Sequence, residues 1–443
     1  MEKAEGDGGR EVVLVTGGSG FLGQHIVREL QEHDNSVTEI RVIDLQPYKN
    51  KLGHKESKRI ITFVGDLRDK AADSVRKAFL DVDCVIHAAG LVSYCFPVNT
   101  QGLHDHNVLV TSNVVSLCIE EGIDRLVFCS TAEVTMVPYL GSNITVVVYK
   151  TESKALPPKL LGESASTSSS VISKDKGLIT PGYPYSKLRA ENIILEANGV
   201  TLKNGKGTLK TVALRPPILY GEEDYKFVPE ICKLADFCDG RLIQISGLGG
   251  KQQVTYAGNA AWAHICAKNV LKKHPESIAG FPVFITDDTH LDNTLRFVER
   301  VTGGRGPNPR IPSSNASAAA NLKGERSPYY VTEWSIPMVA SYVVAFFFEL
   351  IMSWLVYPLF NIILPVSPCA FISYLGSVTF FSRLRASLYM DYEPLYTMEE
   401  AISSSSEFYA RVRHMAKGKL GKPQQRNILR MNVGEGGQTP SST

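Results

Sequence analysis

A doubly wound parallel α/β sheet of the Rossmann type, with a smaller C-terminal substrate-binding lobe and one membrane-associated apolar segment, is the architecture that these 443 residues predict. Three observations carry it. Short β-branched runs alternate with helical stretches over the first 130 residues, a glycine-rich turn joins the first strand to the first helix, and residues 336 to 365 are almost continuously apolar.

The alternation reads as EVVLVTG (strand), GQHIVRELQEH (helix), EIRVIDL and RIITFVGDL (strands), SVRKAFLDV (helix), DCVIHAAG (strand), HNVLVTSNVVSLCIEEG (helix) and DRLVFCST (strand). Unbroken apolar runs such as VVLV fit a sheet covered on both faces. After the segment YPYSK, read as a helix, GTLKTVALRPP reads as a further buried strand. The domain layout expected is a disordered N-terminus over 1–10, a dinucleotide-binding domain with interleaved substrate-binding elements over 11–300, and a linker over 301–329. An apolar membrane-associated segment with C-terminal helices over 330–415 and a flexible tail over 416–443 complete it. The serine-rich stretch within 151–180 reads as an excursion from the main domain, and the role of the whole 135–180 insertion is open.

A formal net charge of +2 gives no general attraction to nucleic acid. Eight cysteines show no C-x-x-C spacing, several lie inside apolar runs, and buried free thiols in a reducing compartment are expected. No metal site is expected. The polar start MEKAEGDGGR does not resemble a cleavable signal peptide.

In TGGSGFLG, Gly17, Gly20 and Gly23 follow a strand and open a helix, with Phe21 and Leu22 in its first turn. Glycines there permit a tight turn and let backbone N–H groups reach a pyrophosphate at the positive helix end. The alternative is a glycine-rich turn with no ligand. Asp44, ending the next strand, suits the two ribose hydroxyls and would repel a 2′-phosphate, which favours NAD over NADP. Asp66 and Leu67 stand where an adenine would be held, though Asp66 could equally cap a helix. Ala88 and Ala89 supply small residues where the backbone passes under the cofactor.

Oxidising an alcohol by hydride transfer requires a base for the hydroxyl proton. Tyr183 and Lys187 stand at i, i+4 on the expected helix, where an ammonium can favour the phenolate and can also bond a nicotinamide ribose. Tyr185, some 200° around the helix, cannot share that face. Ser130 and Thr131 offer hydroxyls at the end of the fifth strand.

TGGSGFLG, HAAG, CSTAEV, YPYSK and LRPPILYGE in this order resemble an extended short-chain dehydrogenase/reductase. IRVIDL, YPYSKLRAE, TYAGNAAWAHICA and FITDDT, with the apolar block after them, resemble the 3β-hydroxysteroid dehydrogenase/Δ5-Δ4 isomerase family. The resemblance implies Tyr183 as general base, Lys187 as its partner and Thr131 as the catalytic hydroxyl. It places Pro216 and Pro217 against the nicotinamide amide, Asn107 behind the active-site helix, and Tyr256 as a candidate for isomerase proton transfer or, equally, for packing under the sheet. It implies NAD as cofactor, a steroid or sterol substrate, a lipid membrane as partner, and the endoplasmic reticulum or a mitochondrial membrane as location with the catalytic domain in the cytosol. Monomer and homodimer both stay open. Thr131 and Tyr183 lie 52 residues apart, further than the resemblance leads one to expect, which leaves the loop over the substrate undefined.

Residues 338 to 357 have the length to cross about 30 Å of hydrocarbon. Glu349 at mid-span would cost roughly 2.5–3.5 kcal/mol unless protonated or paired, and Pro358 and Pro365 interrupt the run. A single span, a partly embedded hairpin, and a buried core helix or dimer face are the readings. Two other functions compete: a sterol-4-carboxylate 3-dehydrogenase or another reductase of a hydrophobic alcohol or ketone, and a non-enzymatic scaffold that senses NAD.

Overall fold

Period-two alternation decides which face each strand residue serves. The computed structural model describes residues 11–139, 142, 144–158, 177–245, 250–303 and 328–420. Its main sheet has seven strands: β1 (Glu11–Thr16), β2 (Val37–Asp44), β3 (Arg59–Val64), β4 (Cys84–His87), β5 (Arg125–Cys129), β6 (Lys210–Arg215) and β7 (Pro282–Phe284). They run in the order β7-β6-β5-β4-β1-β2-β3, every pair parallel. Val13, Val15, Val42 and Ile86 face α1 (Phe21–His33) and α5 (Ala257–Lys273). Leu14, Ile43, Val85 and Phe128 face α2 (Asp73–Phe79), α3 (Val110–Glu121) and α4 (Tyr183–Glu196). Both faces are covered, so each such side chain contributes about 1.5–3 kcal/mol by leaving water. The reversal of strand order between β1 and β4 opens a crevice at the strand ends, where such sheets bind ligands.

Packing crosses the boundary at residue 300. A second core gathers Tyr220, Ile231, Leu242, Phe284, Phe297, Tyr374, Phe381 and Phe408 from both sides of that boundary. The strand Val146–Lys150 pairs in parallel with Val378–Phe381, and Arg241–Ile245 pairs with Tyr330–Ile336. The run TVVVYK therefore reads as part of an insertion only until its partner, over 200 residues away, is known. Of residues 330–415, expected to hold the apolar segment and C-terminal helices, the stretch from Pro368 onward largely packs into this lobe. The expected disordered N-terminus, most of the linker, the serine-rich stretch and nearly all of the tail lie outside the described residues.

The apolar block forms one helix, α6 (Met338–Phe360), of 23 residues and mean hydropathy 2.0, long and apolar enough by composition to cross a membrane. At 1.5 Å per residue it spans about 34 Å. A π-turn at Met352–Val356 carries the helix through Pro358, so that proline does not end it. Ser341, Tyr342, Ala345, Glu349 and Met352 form the protected stripe, while Val339, Val344, Phe347, Trp354, Leu359 and Phe360 are exposed. Glu349 does not face outward. Its Oε1 accepts from the Ser367 hydroxyl at 2.6 Å and from the Cys369 N–H at 2.9 Å, at the start of the helix Pro368–Gly376 packed against α6. The carboxylate is thus held by hydrogen bonds and a helix N-terminus.

Candidate active site

The glycine turn is shaped by close backbone approach. Gly17 sits at φ +72°, and a Cβ there would come within 2.7 Å of the Ala89 backbone. On Gly23 a Cβ would lie 2.1 Å from the Gly17 carbonyl oxygen, and on Gly18, which the motif spacing did not single out, 2.6 Å from Val42. Gly20 precedes α1 with no side-chain cap, and its own N–H donates to Gly17 O at 3.1 Å. The first-turn N–H groups of α1 are therefore left for a ligand. Asp44 Oδ2 accepts from the Ser19 N–H at 3.1 Å, bringing the end of β2 against the turn. Ala88 and Ala89 are held by Thr16, through its carbonyl and its hydroxyl respectively. Phe21 stands edge-on to His25, and Leu22 packs against the core. These features fit a dinucleotide: a cradle that any larger residue would fill, an uncapped helix start and a carboxylate at the ribose position.

Asp66 is placed less simply than expected. Arg68 takes both its oxygens, and the Arg68 N–H also donates to it at 2.9 Å, so its carboxylate pKa is lowered chiefly by that hydrogen bonding. It caps its own turn and not a following helix. The Leu67 side chain is buried in the core beside α2 and α3, and its carbonyl accepts from the Asn113 amide at 2.9 Å. The Pro216 carbonyl is likewise engaged, accepting from the Ala132 N–H at 2.8 Å.

Helix α4 starts at Tyr183 because Gly182, at φ +81°, turns the chain where a Cβ would lie 2.5 Å from Val98. Pro184 in the first turn costs the helix no hydrogen bond. Tyr183, Lys187 and Glu191, spaced by four, share one buried face. The Lys187 ammonium donates to the Cys129 carbonyl at 2.6 Å and lies 4.2 Å from the centre of the Phe128 ring. Burial lowers its pKa to about 8. The Tyr183 phenol is pushed well above the ordinary tyrosine value, first by burial and then by the neighbouring Glu133. Burial and the Glu133 charge set the direction of the Tyr183 shift. The Lys187 ammonium bonds the Cys129 carbonyl.

Of the two hydroxyls ending β5, Ser130 turns away and donates to Glu191 Oε2 at 2.5 Å. Thr131 remains at the crevice, its Oγ1 accepting from the Glu133 N–H at the start of the turn Ala132–Thr135, which packs on α4. Asn107 lies in a π-turn, His104–Leu109, and bridges the Leu91 backbone to Ser186 Oγ at 2.8 Å, between Tyr183 and Lys187. Tyr256 is elsewhere: its hydroxyl donates to Glu222 at 2.8 Å near Arg28, and its ring packs in the second core.

Two functional groups escaped the sequence reading. Glu191 forms a buried two-point ion pair with Arg215, fastening α4 to β6. Its signal was the third member of the spacing Tyr183, Lys187, Glu191. Glu133 is buried beside Tyr183, accepting from the Tyr94 hydroxyl at 2.5 Å and the Thr180 hydroxyl at 3.3 Å. Its partners are hydroxyls and not a cation, and burial raises its pKa to about 7. Its signal was a lone carboxylate in CSTAEV, two residues past Thr131. Tyr94 stands edge-on to Tyr183, ring centres 5.4 Å apart, and its loop bridges to Leu364 and Val366 on the segment returning from α6.

The fold matches solved structures across almost its whole length. MoeE5 in complex with UDP-glucuronic acid and NAD is 17% identical at a TM-score of 0.56, covering 91% of this chain and 100% of its own. UDP-glucuronic acid 4-epimerase from Bacillus cereus, with UDP-glucuronic acid and NAD, is 15% identical at 0.54, covering 90% and 99%. A short-chain dehydrogenase/reductase superfamily protein from Agrobacterium tumefaciens with bound NAD is 16% identical at 0.52, covering 93% and 100%. At these identities the likeness speaks for the fold. The family description "3-beta hydroxysteroid dehydrogenase/isomerase family" matches residues 14–178 and 140–310. With an extended short-chain dehydrogenase/reductase fold around a Tyr183–Lys187 face, the chain belongs to the 3-beta hydroxysteroid dehydrogenase/isomerase family.

Proposed function

We propose that this chain is a membrane-associated, NAD-dependent dehydrogenase that oxidises the 3β-hydroxyl of a steroid or sterol to the ketone. The observation that carries the reading is the meeting of a dinucleotide cradle, the Tyr183–Lys187 face with Thr131, and an active-site loop joined to the segment that returns from the apolar helix α6. Bound NAD supplies the hydride acceptor. Gly17, Gly20 and Gly23 would hold its pyrophosphate and Asp44 its adenosine ribose. Tyr183 takes the hydroxyl proton, Thr131 orients the substrate oxygen, and Lys187 would bond the nicotinamide ribose. Asn107 and the Glu191–Arg215 pair keep α4 in register. A sterol partitions into a bilayer, and the exposed side of α6 would seat in the same bilayer, at the endoplasmic reticulum or a mitochondrial membrane with the catalytic domain cytosolic.

The test is NADH formation by the full chain in detergent with a panel of 3β-hydroxy-5-ene steroids and 4-carboxysterols. Oxidation of the simple 3β-alcohols is expected, with Tyr183→Phe losing about 10²–10⁴-fold in rate while NAD still binds. Turnover confined to 4-carboxysterols would reassign the substrate, and binding without turnover would make the chain an NAD sensor.

A further inference from the structure

We propose that α6 does not cross the bilayer but lies along one leaflet, with both of its ends on the catalytic side. The proposal rests on the membrane association put forward above and fixes its form. Short connections hold the two ends. Only Pro337 separates α6 from the strand Tyr330–Ile336, which pairs with Arg241–Ile245 in the second lobe. After the helix, Asn361, Ile362 and Ile363 lead to Leu364, whose N–H donates to the Phe96 carbonyl at 2.9 Å and whose carbonyl accepts from the Phe96 N–H at 3.0 Å. From Phe360 to Leu364 an extended chain reaches about 14 Å, under half of the roughly 30 Å of hydrocarbon. A spanning α6 would place its two anchors on opposite sides of a bilayer, although both belong to one folded unit.

That unit also runs alongside the helix. The helix Pro368–Gly376 packs against α6, from Glu349 near its start to Met338 near its end, where a Cβ on Gly376 would come within 2.5 Å of Met338 Sδ. It is tied to the lobe in turn, since the Gln252 amide donates to the Tyr374 and Leu375 carbonyls at 3.0 and 3.1 Å. Protein therefore fills one whole side of α6 and replaces the charged face that a free interfacial helix turns to water. The uncovered side fits lipid better than a protein partner. Exposed residues from Val339 to Ile351 sweep about 200° at 100° per residue, whereas one partner helix needs a stripe of roughly 100°. Between Glu333 and Arg383 the only charged residue is Glu349, which is turned inward. An in-plane helix seats its apolar face about 5–10 Å deep, where headgroups meet acyl chains. The Tyr94–Phe96 loop then stands at that boundary, beside the leaflet that holds the sterol.

Topology separates the two poses. In sealed microsomes carrying the full chain with a short peptide tag at each terminus, added protease should remove both tags while the membranes are intact. One tag that survives until detergent is added overturns the proposal and leaves membrane association standing. A chain that stays in the supernatant overturns it together with the membrane clause of the proposed function, and gives the exposed side of α6 to a second copy or another protein. Depth is an independent readout. Val339→Trp and Phe347→Trp are each placed in a chain carrying Trp334→Phe and Trp354→Phe, and quenching is measured with lipids brominated at known acyl positions. Both sites lie within about 80° around the helix, so the same shallow position should quench both best. A spanning helix would set them about 12 Å apart in depth, and that difference also overturns the proposal.

Discussion

On the side of Tyr183 toward β1, the site is made of backbone: Gly17, Gly20 and Gly23, the uncapped start of α1, and the Ala88–Ala89 turn. On the side toward the second lobe it is made of side chains, with Tyr94, Glu133, Thr180 and Tyr374 meeting from four separate stretches. Backbone approach imposes glycine at close spacing, so most of the first side can be read from eight consecutive residues, TGGSGFLG. Convergence of distant side chains leaves no local pattern, so the second side cannot. The two sides also treat charge differently. Glu191, beside the cofactor side, is ion-paired to Arg215, while Glu133 is equally buried but held only by hydroxyls. Burial alone does not decide whether a carboxylate stays ionised; the partner does.

Breaking the Glu191–Arg215 pair should have the largest effect. Arg215→Met leaves Glu191 buried with only Ser130, and a loss of about 3–5 kcal/mol is expected in chemical denaturation. Adding Glu191→Leu should restore part of that loss. A double variant as unstable as the single one would mean that the pair does more than neutralise itself.

Next in size is the cradle. Gly23→Ala places a methyl against the Gly17 carbonyl, so the turn relaxes away from the geometry that receives the pyrophosphate, and restoring that geometry on binding costs about 1–3 kcal/mol. NAD affinity measured by calorimetry should fall by about 5- to 150-fold, with the thermal midpoint of the free protein changed far less. Unaltered affinity would detach the glycine turn from the cofactor.

The smallest effect separates the two sides most finely. Oxidation needs the Tyr183 phenolate, and Glu133 is the second cause, after burial, that raises its pKa. Glu133→Gln removes that charge, the pKa falls, and the rising limb of kcat/KM for oxidation should move to lower pH. A limb that stays in place would show that Glu133 does not act on Tyr183 when the cofactor is bound.

The sheet was largely legible. Six of its seven strands follow from β-branched runs bounded by turn residues, and the glycine turn followed from spacing after a strand. The seventh, Pro282–Phe284, has three residues and a proline start, too little pattern to stand out. The second lobe was not legible, because Val146–Lys150 and Arg241–Ile245 find partners only in the last quarter of the chain. Within the site, Tyr183 and Lys187 were legible as helix spacing, and Ser130 was parted from Thr131 by the resemblance alone, before the Glu191 contact gave a physical reason. Glu349 read as a mid-membrane charge. Its partners, Ser367 and Cys369, lie across a chain reversal that hydropathy does not reveal.

The central claim is that a carbinol hydride passes from a sterol to NAD while Tyr183 takes the hydroxyl proton. Its most direct measurement is the fate of label from a [3α-²H]sterol incubated with the detergent-solubilised full chain and NAD. The account predicts deuterium in the reduced cofactor, one equivalent per ketone formed, and no transfer in Tyr183→Phe beyond about 1% of the wild-type rate. Reduced cofactor without label, or transfer undiminished in Tyr183→Phe, would contradict it.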